Sequence, residues 1–433
     1  MAIGTSVSTT TQQYGTQKTD VRAMSIATML FFMWGFLTCL NDILIPHLKG
    51  IFDLNYAQAM LVQFCFFSSY FIFALPSGKL VEWVGYKQAM VVGLLVMAAG
   101  AFLFLPASTA ASFGLFLSAL IILAAGITCL QVAANPYVTV LGKPETASSR
   151  LNLTQAFNSL GTFLAPFFGG LFILSAAPKA IEEIRAMAPD VLQAYRLHEA
   201  ATVKTPYVGL GIALVVLAIA IGSFKLPTIE HAQHKVGEKV NDSIWNHPSL
   251  IFGAIGIFVY VGAEVSIGSF MVNYFSQPDI GGLTEKVAAS FVAFYWGGAM
   301  VGRFIGSALL QKMSTGRLLG ICAVCAAALV AISMLTTGHM AMYSIILVGF
   351  FNSIMFPSIF TLGVAELGPL TGDGSGIMIM AIVGGAIIPV AQGAIADKIG
   401  IHHAFFLPVI CYLYILYFAL SGSKPNSERR AKA

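Results

Sequence analysis

The chain has 433 residues, of which 57% are hydrophobic and only 10% are charged, and it contains 33 Phe and 42 Gly. A soluble domain is about half apolar and about a quarter charged, so this composition excludes a surface that faces water on all sides. The formal net charge of +4 is small, and we expect no nucleic-acid partner. The composition predicts a polytopic membrane protein that is solvated by the lipid bilayer.

Twelve apolar runs of bilayer length follow one another along the chain. They lie near 25–45, 57–77, 88–106, 112–132, 151–174 and 207–224, and then near 249–270, 287–310, 318–336, 341–365, 374–395 and 403–420. The pattern predicts an all-α polytopic membrane protein with 12 transmembrane helices in two six-helix halves. This is the layout of major facilitator transporters, in which the halves rock around a central site.

The polar segments divide the chain into five expected parts. These are a disordered cytoplasmic tail at 1–22, an N-terminal six-helix half at 23–224, a central cytoplasmic loop at 225–247, a C-terminal six-helix half at 248–420 and a cytoplasmic tail at 421–433. The opening segment is rich in Ser, Thr and Gln and lacks the basic and apolar arrangement of a signal peptide. Basic residues concentrate in loops on the side of the amino terminus, so the positive-inside rule predicts that both termini are cytoplasmic.

Only two carboxylates fall well inside the predicted spans, Asp42 in the first and Glu264 in the seventh. A carboxylate in the bilayer is costly unless it faces water, a partner or a substrate, so both are candidate functional residues. At 1.5 Å per helical residue, Asp42 lies about 30 Å from Arg22 and Glu264 about 26 Å from His247, which gives them a comparable depth. We predict that the pair couples transport to a proton or a sodium ion. The alternative is that either residue only pins a helix to Arg303 or to a backbone amide.

A loop motif recurs after the second, eighth and eleventh spans, with copies that begin at Gly78, Gly302 and Gly393. It resembles the loop motif of the major facilitator superfamily, in which glycines permit a tight turn and acid and base lock the inner gate. The recurrence follows a three-span repeat unit. The candidate gating residues are Gly78, Glu82, Gly85, Lys87 and Arg303.

Uncharged amides cluster in the fourth and fifth spans. Gln131 and Asn135 are four residues apart, and Gln155 and Asn158 are three apart, so each pair projects from one helical face. Amides offer both donors and acceptors, which matches the surface of sugar hydroxyls. They also join transmembrane helices by hydrogen bonds, and the sequence leaves this alternative open.

Aromatic and amide side chains in other spans complete the candidate substrate-binding set. An aromatic ring can stack on the apolar CH face of a pyranose, whereas aromatic residues near span ends often form interfacial belts. Tyr295 and Trp296 fall in the middle of the eighth span and Trp34 in the middle of the first, which favours ligand contact. The remaining candidates are Asn41, Asn273 and Asn352.

Other classes of membrane protein find little support in the sequence. No Gly-x-x-x-x-Gly-Lys-Ser/Thr motif is present to hold ATP phosphates, and neither a channel-type filter nor a catalytic cluster is visible. We therefore expect neither an enzyme nor a cofactor or metal site, apart from the coupling ion. A membrane sensor would be expected to carry a signalling domain, and both expected tails are too short for one.

Four segments resemble a known family. Phe-Leu-Thr-Cys-Leu-Asn-Asp-Ile-Leu-Ile-Pro-His-Leu (36–48), Leu-Gln-Val-Ala-Ala-Asn-Pro-Tyr-Val-Thr (130–139) and Arg-Leu-Asn-Leu-Thr-Gln-Ala-Phe-Asn-Ser-Leu-Gly (150–161) are similar to the fucose:proton symporter family. Tyr-Val-Gly-Ala-Glu-Val-Ser-Ile-Gly-Ser-Phe (260–270) looks like its glucose/galactose and N-acetylglucosamine branch. The resemblance covers essentially the whole chain between the tails.

The resemblance implies a bacterial inner-membrane secondary transporter that carries a monosaccharide inward with a proton or a sodium ion. It implies that Asp42 is the coupling carboxylate and that Gln155 and Asn158 contact sugar. Fucose carriers have a glutamate where this chain has Gln131 and lack the acid at Glu264, which argues against fucose. We expect a monomeric symporter of glucose, galactose or N-acetylglucosamine; the alternative is a transporter of another small polar solute or a drug exporter of the same fold.

Overall fold

The computed structural model describes residues 19–52, 56–172, 187–224, 242–365 and 367–424. Within these ranges, the side chains of residues 40–51, 56–63, 166–172, 285 and 286 are outside the description. Most of the expected amino-terminal tail, of the central loop and of the carboxy-terminal tail therefore lies outside the described residues, and the first helix begins at Val21, within the expected tail.

Every regular element in the described ranges is helical, as a bilayer requires of segments that must satisfy their own backbone groups. The helices before the central segment are α1 (Val21–Phe52), α2 (Tyr56–Thr109), α3 (Phe113–Val140), α4 (Ala147–Phe172), α5 (Pro189–Thr202) and α6 (Lys204–Ser223). Those after it are α7 (Pro248–Phe275), α8 (Glu285–Leu309), α9 (Thr315–Leu335), α10 (Gly338–Asn352), α11 (Met355–Gly363), α12 (Thr371–Met380), α13 (Gly384–Ile399), α14 (Ile401–Ala404) and α15 (Phe406–Tyr417). A short π-helical turn, Phe418–Gly422, follows α15.

Ten helical stretches of the described chain are long and apolar enough to cross a membrane. One of them, Phe64–Thr109, has 46 residues, and its backbone breaks at Gly85, where φ is 81° and ψ is 165°. It is therefore long enough for two crossings. Together with the 26 residues of α4, the described helices accommodate the twelve expected spans.

Glycines let neighbouring helices pack backbone against backbone. A side chain at Gly126 of α3 would meet the backbone nitrogen of Met97 in α2 at 2.5 Å. A side chain at Gly161 of α4 would collide with the carbonyl oxygen of Phe32 in α1. Such close approach is the usual source of stability between helices in lipid, because burial away from water contributes little there.

One end of the bundle, which we call the connector end, carries Ile244 from the central polar segment. A cavity of about 410 Å³ at this end is lined by Ile244 together with Lys79 of α2 and Asp373 of α12. The start of α1 lies near the turn after α3, since the amide of Asp20 donates to the carbonyl of Leu141 at 3.3 Å.

The helices before the central polar segment form a first set and those after it a second set. The two sets meet at the connector end along two lines of contact, α2 against α12 and α4 against α8. In the first, a side chain at Gly78 would lie 3.0 Å from the carbonyl oxygen of Gly372. In the second, the Ser149 hydroxyl donates to the carbonyl of Ser307 at 2.7 Å, and the Ser307 hydroxyl donates to the carbonyl of Ser149 at 3.1 Å. We call these two lines together the connector-end interface.

Candidate functional site

The acid of the seventh span, Glu264, lies beside a tyrosine of its own helix. The Tyr260 hydroxyl is 2.8 Å from Oε1 of Glu264 and 3.0 Å from the backbone carbonyl oxygen of Asn352. Residues four apart on a helix share a face, which is why α7 brings the two side chains together. Tyr260 is buried, whereas Glu264 is partly exposed.

The carbonyl that Tyr260 reaches is available because the helix is interrupted there. α10 ends at Asn352 and α11 begins at Met355, so the last carbonyls of α10 have lost their partners in the helix. The Asn352 side chain donates to the Tyr295 hydroxyl at 2.8 Å, and that hydroxyl lies 3.4 Å from the carbonyl of Glu264. Glu264, Tyr260, Asn352 and Tyr295 therefore form one polar network across α7, α8 and α10, in which all members but the partly exposed Glu264 are buried.

Arg303 is the cation next to this network, because it contacts Ser353, the residue that follows Asn352. Its guanidinium donates to the hydroxyl of Ser159 in α4 and, at 3.3 Å, to the carbonyl of Ser353 in the helix interruption. Its own carbonyl accepts a 2.6 Å hydrogen bond from the side chain of Asn152. Arg303 thus joins α8 to α4 across the connector-end interface, a position that suits the predicted gating role.

The network can satisfy Glu264 in both of its protonation states. The single hydroxyl proton of Tyr260 can serve either of its two acceptors. When Glu264 is charged, Tyr260 donates to the carboxylate. When Glu264 is neutral, the acid can donate to the tyrosine oxygen while Tyr260 donates to the Asn352 carbonyl. The arrangement can therefore take up and release a proton without leaving a buried donor unpaired.

Two of the candidate gating residues of the first loop, Gly78 and Glu82, lie on the connector-end interface. Lys79 pairs with Asp373 of α12 at 2.7 Å and with Glu82 at 3.2 Å. Lys87 donates to the carbonyl of Gly222 at 2.8 Å, which ties the start of the third span to the end of α6. Gly78 supplies the close approach to Gly372 described above.

The three copies of the loop motif differ in geometry. Gly400, at the end of the third copy, has φ 83° and ψ 153°, nearly the values of Gly85 in the first. The second copy makes no such turn, because α8 continues through Gly302 and Gly306 to Leu309. The first and third copies of the motif therefore make the same backbone turn. The second copy lies within a continuous helix, where its glycines allow close packing.

The predicted amides have different partners. The Gln131 side chain donates to the Tyr70 hydroxyl at 2.9 Å, and the Asn158 side chain donates to the carbonyl of Phe31 in α1 at 2.9 Å. Gln155 and Asn135 are buried, and both amide atoms of Asn135 have no hydrogen-bond partner among the described groups. Asn158 therefore joins two helices, while Asn135 and Oε1 of Gln131 keep buried hydrogen-bonding capacity with no described partner.

The remaining candidates are dispersed. Trp34 is buried and packs on Phe31 with 5.1 Å between the ring centroids. Trp296 is 40% exposed, and Asn273, two residues before the end of α7, is exposed as well. α1 passes through Asn41 and Asp42, but their side chains lie outside the described residues.

Sequence reasoning missed several contributors to these contacts, among them Tyr260, Ser159, Lys79 and Asp373. Tyr260 could have been found from its spacing of four residues from Glu264. The ion pair between Lys79 and Asp373 joins positions 294 residues apart, and no local pattern indicates it.

Comparison with known proteins places this geometry in a family. The Major Facilitator Superfamily profile matches residues 24–388. The chain belongs to the Major Facilitator Superfamily. The predicted fold class is therefore confirmed.

Two curated members of the superfamily are similar over nearly their whole length. The chain is 55% identical over 408 residues to the glucose/galactose transporter of Brucella abortus biovar 1 (strain 9-941), covering 94% of this chain and 96% of the relative. It is 34% identical over 417 residues to the L-fucose-proton symporter of Escherichia coli (strain K12), covering 94% of each. These relatives confirm the resemblance seen in the sequence and the expectation of a transporter rather than an enzyme.

Solved superfamily structures match the whole fold. The crystal structure of a single-substitution variant of the E. coli fucose:proton symporter, FucP, superposes with a TM-score of 0.87 at 32% identity, covering 94% of this chain and 100% of the other. A crystal structure of FucP in the outward conformation matches with the same values. The chain is accordingly a multi-pass membrane transporter.

Proposed function

We propose that the protein is a proton-coupled symporter that imports a monosaccharide such as glucose, galactose or N-acetylglucosamine. The observation that carries the proposal is the polar network of Glu264, Tyr260 and the Asn352 carbonyl, which can hold Glu264 charged or neutral. A carboxyl group that changes protonation within a span is the usual device for coupling a solute to a proton. Asp42 is proposed as the second coupling group, on the basis of its place in the first span.

The support for a sugar lies in the buried amides. Both amide atoms of Asn135, Oε1 of Gln131 and Oδ1 of Asn352 are buried and have no described partner. An unpaired buried polar atom costs about 1–3 kcal/mol, which a ligand with both donors and acceptors can recover. A sugar hydroxyl is such a group, and the glucose/galactose relative is named for such a substrate.

The network also favours a proton over a sodium ion. Sodium prefers several oxygen ligands around one point, whereas the described side-chain partner of Glu264 is a single tyrosine hydroxyl, and the Arg303 cation reaches Ser353 beside the network. The positive charge of Arg303 opposes a second cation, and the hydroxyl is an ordinary partner for a proton-exchanging carboxyl. The E. coli relative is named a proton symporter.

We propose that alternating access opens and closes the connector-end interface. Two six-helix halves, 23–224 and 248–420, would rock about the site, with the tails and the 225–247 loop in the cytoplasm. The contacts at the connector end would then close the cytoplasmic side, in keeping with the match to FucP in its outward conformation. The positive-inside distribution supports this orientation in a bacterial inner membrane, with a monomer as the working unit.

Uptake into proteoliposomes tests the function. The purified full-length protein is reconstituted, and labelled glucose, galactose, N-acetylglucosamine and L-fucose are supplied under an inward pH gradient or an inward sodium gradient. We expect one or more of the first three sugars to accumulate under the pH gradient, and the sodium gradient to have no effect of its own. Glu264→Gln should abolish accumulation while sugar exchange down its own gradient persists.

Glu145→Gln is the matched control, because it removes the same charge from an exposed turn between α3 and α4. Normal accumulation by Glu264→Gln would place the coupling group elsewhere. Export of apolar cations in place of sugar uptake would favour the drug-exporter alternative. Accumulation driven by sodium alone would reject the proton.

A further inference from the structure

A groove of about 730 Å³ lies on the second set of helices, away from the transport network. It is bounded by the start of α9, the end of α11 and the end of α15 with the π-helical turn that follows. Its lining residues are Ser314, Gly316, Arg317, Gly320, Ile321, Val324, Cys325, Leu362, Leu416, Ala419, Leu420, Ser423 and Lys424.

The mouth of the groove is cationic. Arg317 and Lys424 both line it, and none of the lining residues is an Asp or Glu. Arg317 is exposed, and Ser314, the N-cap of α9, makes no side-chain hydrogen bond to the helix start. The amide groups at a helix start carry partial positive charge, so they add to the attraction of the two cations for an anion.

The wall of the groove is apolar and faces outward. Ile321 is 46% exposed, Val324 is 49% exposed and Leu420 is 59% exposed. Exposed aliphatic side chains on a membrane-spanning helix are suited to contact with acyl chains.

The groove lies at the connector end. The hydroxyl of Thr315, the first residue of α9, donates to the Ser148 hydroxyl at 2.9 Å, and Ser148 in turn contacts Thr361 at 2.6 Å. On the proposed orientation, the cationic mouth is therefore at the cytoplasmic surface and the apolar wall extends into the inner leaflet. Leu362 of the lining directly follows Thr361, so an occupant would lie next to the contacts between the two sets of helices.

We propose that this groove binds an anionic phospholipid of the cytoplasmic leaflet. The head-group phosphate lies between Arg317 and Lys424, near the start of α9, and an acyl chain follows Ile321, Val324 and Leu420. Basic pockets between transmembrane helices on the cytoplasmic side select anionic over zwitterionic lipids by charge. A free phosphate ion would use the cations alone and leave the apolar wall uncovered.

Native mass spectrometry of the full-length protein in detergent, titrated with phosphatidylglycerol or phosphatidylcholine, tests the proposal. We expect one phosphatidylglycerol to be retained in preference to phosphatidylcholine. Since each basic residue near a lipid surface contributes about 1 kcal/mol, the Arg317→Gln/Lys424→Gln double variant should weaken this binding about thirtyfold. The Lys143→Gln/Lys312→Gln double variant removes two exposed cations outside the groove and should leave it unchanged.

Two further measurements distinguish binding of the whole lipid from binding of its phosphate group alone. Val324→Trp fills the apolar wall and keeps both cations, so it should weaken phosphatidylglycerol binding without changing the charge. Millimolar inorganic phosphate should not displace the lipid. Equal retention of the two lipids, equal loss in the two double variants, displacement by phosphate or full binding by Val324→Trp would each overturn the proposal.

Discussion

Glu264 could be recognised as a functional candidate from the sequence, but most of its hydrogen-bond network comes from residues that are distant in the chain. Its position in an apolar run marked it as costly to bury and hence as a functional candidate. Tyr260 shares its helix, but the other members of the network come from Tyr295 and Asn352, which lie 31 and 88 residues further along the chain than Glu264. No spacing rule connects them, since helix packing alone brings them together.

The hydroxyl of Tyr260 is expected to be required for coupling. Tyr260→Phe removes the donor to the carboxylate and to the Asn352 carbonyl. A hydrogen bond to a charged group is worth about 1.5–3 kcal/mol, so we expect pH-driven sugar accumulation to fall about tenfold or more and its pH profile to shift. The measurement is uptake into proteoliposomes across a range of pH.

Tyr274→Phe provides the control for this variant. Tyr274 is a buried tyrosine of the same helix, and its hydroxyl contacts Ser333 rather than Glu264. It should lower stability modestly and leave the pH profile in place. If Tyr260→Phe retains the wild-type profile, the tyrosine plays no part in proton uptake.

The role of the four predicted amides could not be assigned from residue type alone. Gln131, Asn135, Gln155 and Asn158 were all consistent with a sugar and with a helix contact, because an amide makes the same hydrogen bonds to either. In the fold, Asn158 contacts α1 and Gln131 contacts Tyr70, while both amide atoms of Asn135 and Oε1 of Gln131 have no described partner. The contact roles of all four with sugar stay predictions.

At the scale of elements, the recurring loop motif produces a turn that depends on glycine. Gly85 and Gly400 share a backbone conformation with φ near 80° and ψ near 160°, a region open almost only to glycine. The sequence indicated the repeat, and the structure shows that the first and third copies make the same turn. The second copy lies inside a continuous helix, where its glycines serve close packing.

Substitution at this turn is expected to destabilise the protein. Gly85→Ala forces a side chain into the strained conformation at a cost of about 1–3 kcal/mol, which should lower the thermal midpoint of the detergent-solubilised protein. Gly209→Ala is the control, because Gly209 lies in α6 with open space around it and alanine favours helix by up to about 1 kcal/mol. A midpoint for Gly85→Ala equal to that of Gly209→Ala would show that the turn carries no strain.

At the scale of the whole molecule, the proposed alternating access makes the connector-end interface the contact that would close one side of the protein. Its described contacts include hydroxyls, backbone carbonyls, the Asn152 amide, the Arg303 guanidinium and a partly exposed ion pair, Lys79 with Asp373. Exposed ion pairs contribute about 0–1 kcal/mol, so this pair adds little to the cost of opening the interface. A reversible contact of this kind suits a gate better than a large apolar surface would.

Cross-linking the interface is expected to stop transport reversibly. Ser149 and Ser307 have hydroxyl oxygens 3.3 Å apart and both are buried, so cysteines at these two positions should form a disulfide under oxidation. The oxidised Ser149→Cys/Ser307→Cys protein should lose sugar uptake and regain it on reduction. Each single variant, treated with the same oxidant, controls for effects on the native cysteines.

Unchanged uptake by the oxidised double variant, with the cross-link verified by mass spectrometry, would show that this interface need not open. Loss of uptake in either single variant under oxidation would instead point to a native cysteine.

The sequence by itself determined the membrane class, the helical architecture, the loop repeat and the two acids placed in spans. Each follows from local physics. Lipid requires apolar helices whose backbone groups are hydrogen-bonded, and a charge inside such a helix is costly unless it faces water, a partner or a substrate. Only the tertiary structure decided which side chains face one another across helices, including the contact of Tyr260 with the Asn352 carbonyl and the pairing of Lys79 with Asp373. These contacts depend on how helices far apart in the chain pack against each other, which residue type and spacing do not encode.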